Sequence, residues 1–462
     1  MTNFKTQINN IKKIYIISFV TYLLLSRSVL FVNLISLPVN SLFYNFFAIS
    51  GFLLLGIDVL LNFTIFKSKE NIMLLAFLGV CAISSLLNMS YGLGNNLKTL
   101  VWTSIQFFIL FSFVHVKDKK EIYKLTNIIM KITCSIWFIA VLISLIQFIF
   151  QIHYRAPFAE FSRRQGFVDS RLFGIFSDPN FAAVTSLLVI VFCYSLLKNC
   201  KNKHLKKYYV ANIVCQILYI ILSGSRTAMI EGVILAFILV YFVNRNKMYS
   251  LSMTKVKRKA LLKGIVAALL SVLLINVLPT PLLMIAEVGH DIRISIFGEE
   301  LSDEDEEDIT LERDDVSEAD ISNNRSDIWK SSLEVSAEKR LLGLSPRNMV
   351  PYAQEIYPDS YIAQTGYETH NGYLAVFVGT GIIGFLVMLT LAIKVLYHVC
   401  TYVKNHRRQV YDHYLILFFC CIFVIAVSAV MLLDIFFVNT YSAAVFWLFL
   451  GNFLYLLKEK EN

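Results

Sequence analysis

Apolar residues along the chain gather into runs near 20 residues long, separated by polar stretches, from one end to the other. A helix needs about 20 residues to cross the hydrocarbon core of a bilayer, so each run predicts a membrane-spanning helix. Twelve are predicted, at about 14–33, 43–66, 72–89, 99–116, 126–150, 180–197, 208–223, 226–244, 261–282, 371–396, 412–433 and 437–457. Only Gly224-Ser225 separates the seventh from the eighth.

Two connections are long, about 151–179 and 283–370. The second exceeds what a plain connector needs and must carry structure or function. It opens with an acidic run, Glu299 to Asp320, which reads as a solvated segment. Asn324-Arg325-Ser-Asp-Ile-Trp329 then starts an amphipathic helix to about Arg340, followed by an irregular stretch marked by Pro346, Pro351 and Pro358. The expected organisation is membrane helices over 1–282, a large extracytoplasmic loop over 283–370 between the ninth and tenth helices, and membrane helices again over 371–462.

Composition fits this pattern. The 462 residues are 56% hydrophobic and only 16% charged, which excludes an ordinary soluble domain and indicates an all-α polytopic membrane protein. A net charge of +9 would suggest nucleic acid in a soluble protein. Here 26 of the 42 basic residues fall in alternate loops, the pattern of cytoplasmic loops, which places both termini inside a plasma membrane. The first run follows Lys12-Lys13 without a convincing cleavage site and reads as a retained helix. No nucleic-acid partner is expected. All eight cysteines lie in helices or inside loops, so no disulfide is expected.

The two sides differ in their cations. Of the 26 basic residues inside, 22 are Lys; of fourteen outside, eleven are Arg. Lysine suffices as a topology signal, whereas arginine's planar fork grips phosphate or carboxylate with two hydrogen bonds. The contrast points to anion binding outside. Arg163-Arg164 and Arg171 lie in the first long loop, just before Asp178-Pro-Asn180, an ordinary helix-capping sequence. Arg226 opens the eighth helix beside Ser223, Ser225 and Thr227, with Glu231 as an alternative structural partner. His370 sits between Glu368-Thr369 and Asn371-Gly372, ahead of a helix with Gly379-Thr-Gly381 and Gly384. A neutral imidazole there can accept a proton from an alcohol, and the small residues allow close approach of neighbouring helices.

Five motifs in order over roughly 171–385 resemble the O-antigen ligase and Wzy-type polysaccharide polymerase superfamily of GT-C-type membrane glycosyltransferases. They are Arg171-Leu-Phe-Gly-Ile-Phe-Ser-Asp-Pro-Asn180, Ser223-Gly-Ser-Arg226-Thr-Ala228, Asn324-Arg325-Ser-Asp-Ile-Trp329, Leu342-Gly343-Leu344 and Thr369-His370-Asn-Gly-Tyr-Leu374 with Gly379-Thr-Gly381-Ile-Ile-Gly384. The resemblance implies transfer of a lipid-diphosphate-linked glycan to an acceptor hydroxyl on the outer face. Arg171 and Arg226 would hold undecaprenyl diphosphate, with Arg164 as a further binding residue; Arg325 would shape the acceptor or phosphate side. His370 would deprotonate the acceptor in a single inverting displacement. The first outer loop, about 34–42, has no acid, so neither a metal nor another cofactor is expected. Implied partners are the glycan donor, a glycan acceptor and the bilayer, with a chain-length regulator and a flippase as candidate protein partners. Polymerase is the first reading and ligase the second. A flippase would carry charge inside several helices, and these helices carry little.

Overall fold

The computed structural model describes residues 2–26, 28, 37–61, 66, 68–116, 118–158, 161–247, 253–298, 309–311, 324–407 and 409–459. Arg27 and nearly all of the acidic run lie outside them. The helices in order are α1 (Thr2–Leu25), α2 (Leu37–Leu61), α3 (Lys69–Leu87), α4 (Leu93–Ile105), α5 (Lys119–Ile149), α6 (Pro179–Asn199), α7 (Lys203–Leu222) and α8 (Arg226–Lys247). They continue with α9 (Met253–Val277), α10 (Pro279–Phe297), α11 (Arg325–Val335), α12 (Met349–Ile356), α13 (Tyr361–Thr365), α14 (Gly372–Asn405), α15 (His413–Met431) and α16 (Tyr441–Glu459).

Among the described residues, eleven helical segments are long and apolar enough to cross a membrane. The chain is an all-α polytopic membrane protein. The fourth predicted crossing is helical but not regular: α4 passes into a π turn at Gln106–Leu110 and a 3-10 turn at Phe111–Val116. The register change frees backbone acceptors, and Ser112 Oγ donates to Phe107 O at 2.9 Å. α16 is the central post, with 89% of its span buried, and its Gly451 packs against the Phe111 backbone. The α9–α10 span is only 6% buried and lies at the periphery.

Other departures from the sequence reading are local. The ninth helix, expected to end at 282, gives way at Leu278 to a second helix opened by Pro279 that runs to Phe297. The connection at 151–179 holds a three-stranded antiparallel sheet, β1 (Tyr154–Phe158), β2 (Phe161–Val168) and β3 (Arg171–Gly174), which hydropathy does not signal. The late loop has a small core of its own, with Ile328, Val335, Leu344, Tyr352, Ile362 and Val378 packed together.

Candidate functional site

β2 and β3 are joined by Asp169 and Ser170, both with positive φ (51° and 56°), the geometry of a two-residue hairpin. That turn sets Arg171 as the first residue of β3. Its Nε donates to Ser223 O at 2.9 Å and its Nη2 to Asn180 Oδ1 at 2.7 Å. Asn180 stands in the first turn of α6, where Asp178 accepts the Asn180 N–H at 2.7 Å as N-cap and Pro179 occupies the first helical position. Arg171 thus ties the start of α6 to the end of α7. The guanidinium meets a carbonyl at a helix C-terminus, where the helix dipole favours a cation. Arg164 ion-pairs with Asp169, and both Arg164 and Arg171 flank the Phe173 ring, at 5.8 and 5.9 Å. For Arg155 and Arg163 only the backbone is described.

The chain leaves α7 through Gly224, whose φ of 63° is the left-handed turn that ends many helices. It re-enters helix at Arg226. Ser225 is buried and its hydroxyl meets no partner. Arg226 is exposed and makes no hydrogen bond or ion pair with a described residue. Glu231 is not its partner: that carboxylate is buried and both oxygens accept from Ser428 Oγ at 2.8 Å. The N-terminus of α8 therefore presents backbone donors, a hydroxyl and an exposed guanidinium together, chemistry suited to an anion.

His370 lies on the late loop, with φ of 46°, one residue before the Asn371 that caps α14 by accepting from Tyr373 and Leu374 N–H at 3.0 Å. Trp329 Nε1 of α11 holds the Thr369 carbonyl at 3.1 Å, and Tyr373 Oη reaches Ala426 O at 2.9 Å. The imidazole meets Tyr367 edge-to-face at 5.9 Å and makes no hydrogen bond with a described residue. Its pKa is lowered from the ordinary 6.5 by the surrounding protein and then by the Arg325 charge, and Asp178 opposes them. A pKa below 6.5 leaves His370 mostly neutral at pH 7. Arg226 and His370 do not bond directly. Asp178, Asn180, Arg171 and Ser223 form a bonded series that ends at the turn before Arg226.

The remaining motif residues form a scaffold. Gly381 breaks α14 with φ of 63°, and the 340–345 segment fills the break. Ile382 N–H donates to Arg340 O at 2.7 Å, Leu344 N–H to Val378 O at 2.8 Å and Ser345 N–H to Gly379 O at 3.0 Å. Gly343, with φ of 73°, lies against the Gly379–Gly381 backbone, leaving no room for a Cβ. The small residues of α14 thus admit a loop as well as neighbouring helices. Asn88 Nδ2 and Ser84 Oγ of the α3 end donate to Gly343 O at 3.1 and 3.3 Å, and Asn348 Nδ2 donates to Asn88 O at 2.7 Å.

Sequence reasoning missed Arg347 as a connecting residue. It donates to Thr99 Oγ1 at 3.3 Å and Phe437 O at 3.0 Å, and it approaches Glu368 at 3.8 Å. Nearby Asp434, which accepts the Phe436 and Phe437 N–H groups at 2.9 Å, has its pKa raised by burial. The eleven-to-three excess of Arg over Lys in the loops expected outside is the signal that could have drawn attention to Arg347. Among the described residues no group of three His, Cys, Asp or Glu side chains could hold a metal ion.

Comparison with curated proteins gives no match. Residues 211–389 match the family model described as O-antigen ligase. The matched segment begins within α7, after Arg171 and Asp178, and includes Arg226, Arg325, the 342–344 motif, His370 and the break at Gly381. This match, which covers less than half of the chain, supports a likeness to the O-antigen ligase and Wzy superfamily, of ligase or polymerase type.

Proposed function

We propose that the protein is a GT-C-type membrane glycosyltransferase that polymerises undecaprenyl-diphosphate-linked repeat units into a surface polysaccharide (O-antigen, capsule or exopolysaccharide) on the outer face of the plasma membrane. The observation that supports the reading is geometric: His370 stands at the start of α14, where Trp329 of α11 holds Thr369, while Arg171 ties Asn180 to the Ser223 turn that leads to Arg226.

In this mechanism an acceptor sugar hydroxyl gives its proton to a free nitrogen of His370. The oxygen attacks the anomeric carbon of the donor as the bond from that carbon to the phosphate oxygen breaks, and the sugar configuration inverts. The departing diphosphate carries away the bonding pair. Arg226, the α8 N-terminus and Arg171 hold that negative charge, while Arg325 lies between it and the acceptor. Arg171 keeps part of its fork for Ser223 and Asn180, so it positions the Ser223-Gly-Ser-Arg226 turn as well as binding the anion. Arg164, shared with Asp169 at the rim, guides the glycan or its phosphate. The residues supply a base and an electrostatic clamp without calling on a metal.

A ligase reading shares all of this and differs in acceptor, a terminal molecule such as lipid A–core; the family description favours it by name. The deciding experiment expresses His370→Asn and Arg226→Ala in a strain lacking the gene. Single lipid-linked units accumulating outside are expected for a polymerase. Full-length polymer left on its lipid identifies a ligase, and units trapped inside identify a flippase. Wild-type glycan from both variants would overturn the catalytic assignment.

A further inference from the structure

An apolar cavity of about 130 Å³ lies between α6, α7, α8 and α9. Ile221, two residues before Ser223, and Ala228, two residues after Arg226, stand at its upper end. Gly232 and Ala236 extend one wall to Leu239. At 1.5 Å per helical residue this wall descends about 16 Å, within the depth of one leaflet. The one hydroxyl in the lining, Ser271, donates to Ala267 O at 2.9 Å and so presents no unmet donor. Leu274, on the α9 side, is 44% exposed, which brings the cavity to the lipid-facing surface.

We propose that this cavity seats the diphosphate-proximal end of an isoprenoid tail, with the head group at Arg226. The inference rests on the lipid-diphosphate reading above and adds a place for the lipid. Continuity supports this occupant. Three of the four helices around the cavity carry Asn180, Ser223 and Arg226 at their upper ends, so an exposed cation that bonds no described residue stands over an apolar slot. Size supports it too. Apolar cavities of about 150 Å³ take up benzene, and a five-carbon isoprene unit is of similar bulk. Gly232 keeps the slot open: a Cβ there already meets Leu187 Cδ2 at 3.4 Å. A tail in a bilayer gains no hydrophobic free energy by moving from lipid to protein. The slot therefore selects by shape, branched isoprene against straight acyl chain, and filling it should reduce binding by about tenfold.

The test uses the full chain in lipid nanodiscs and farnesyl diphosphate bearing a diazirine on its first isoprene unit, with crosslinks mapped by peptide mass spectrometry. Labels are expected within 228–239 and 271–275. They should disappear under excess unlabelled polyprenyl diphosphate, fall about tenfold in Gly232→Phe and persist in Gly232→Ala. Ala236→Trp narrows the same slot one turn lower and replaces Gly232→Phe if that variant does not fold. Labels elsewhere, or unchanged labels in a folded slot-filling variant, would overturn the proposal. So would equal labelling by a diazirine phosphatidylglycerol that polyprenyl diphosphate does not displace. The glycan phenotype of His370→Asn is independent of this readout. Labels in the slot beside wild-type glycan would sink the catalytic reading alone, and labels elsewhere beside lost glycan would sink the slot alone.

Discussion

The arginine side and the histidine side of the site are built by different means. On the arginine side, Arg171, Asn180 and Ser223 come from consecutive elements, and the bonds between them span at most 52 positions. On the histidine side, the loop bearing His370 is secured from below by Asn88, Asn96 and Ser84, reaching across more than 250 positions to Gly343 and Asn348. The first side concentrates charge and leaves Arg226 exposed, with no bond to a described residue. The second is a buried frame of uncharged side chains bonded to backbone and to one another. A diphosphate needs adaptable cations, whereas proton transfer needs a base held to a fraction of an ångström.

The largest effect should come from the frame. Gly343→Ala places a methyl group against the Gly379–Gly381 backbone at a left-handed φ, and a loss of about 3 kcal/mol or more is expected. Thermal unfolding in detergent measures it; a wild-type melting temperature would show that the frame is not rigid. Asn348→Ala leaves Asn88 O and the Asn96 amide without their buried partner, and should cost about 1–3 kcal/mol in the same assay. An Asn348→Ala variant as stable as wild type would mean the network adds nothing to stability.

Arginine-side changes should spare stability and act on transfer. Arg171→Lys keeps the charge but cannot reproduce the fork to Ser223 and Asn180, so activity should fall about tenfold. Arg226→Lys should fall less, because an exposed cation acts mainly as a point charge. Equal losses in the two would erase the distinction between a positioning arginine and a binding one. The smallest effect is in pH dependence. The depressed His370 pKa makes transfer independent of pH above about 6.5, with a fall on the acid side as the ring gains a proton. Removing the Arg325 charge with Arg325→Gln raises that pKa and moves the acid limb to higher pH. Asp178→Asn lowers it and moves the limb the other way. Limbs shifting together, or not at all, would separate His370 from both groups.

Long elements were legible because each crossing carries its own signal in length and apolarity. The spacing of Gly224-Ser225 already indicated a tight helix hairpin, and α7 proved a full 20-residue helix. The arginine motifs were legible for the same local reason. What escaped is non-local. Nothing near Leu93–Val116 announces a change of helical register, since the side chain that meets Ser112 there, Asn71, lies 41 residues away. Gly381 reads as a helix-packing residue because its real neighbour, the backbone of Arg340 and Leu341 inside the broken helix, lies some forty residues away in sequence. The sheet at 154–174 is short and half irregular, below the reach of alternation patterns.

The backbone at His370 has a consequence for which residues evolution can place there. A φ of 46° admits glycine freely and asparagine, aspartate and histidine at small expense, while β-branched and bulky residues are strained. Glycine and asparagine cannot take up a proton. Aspartate could, but in the proposed reaction it would add a negative charge beside the departing diphosphate. The turn therefore acts as a filter ahead of any demand from catalysis, and histidine is the one side chain that passes both.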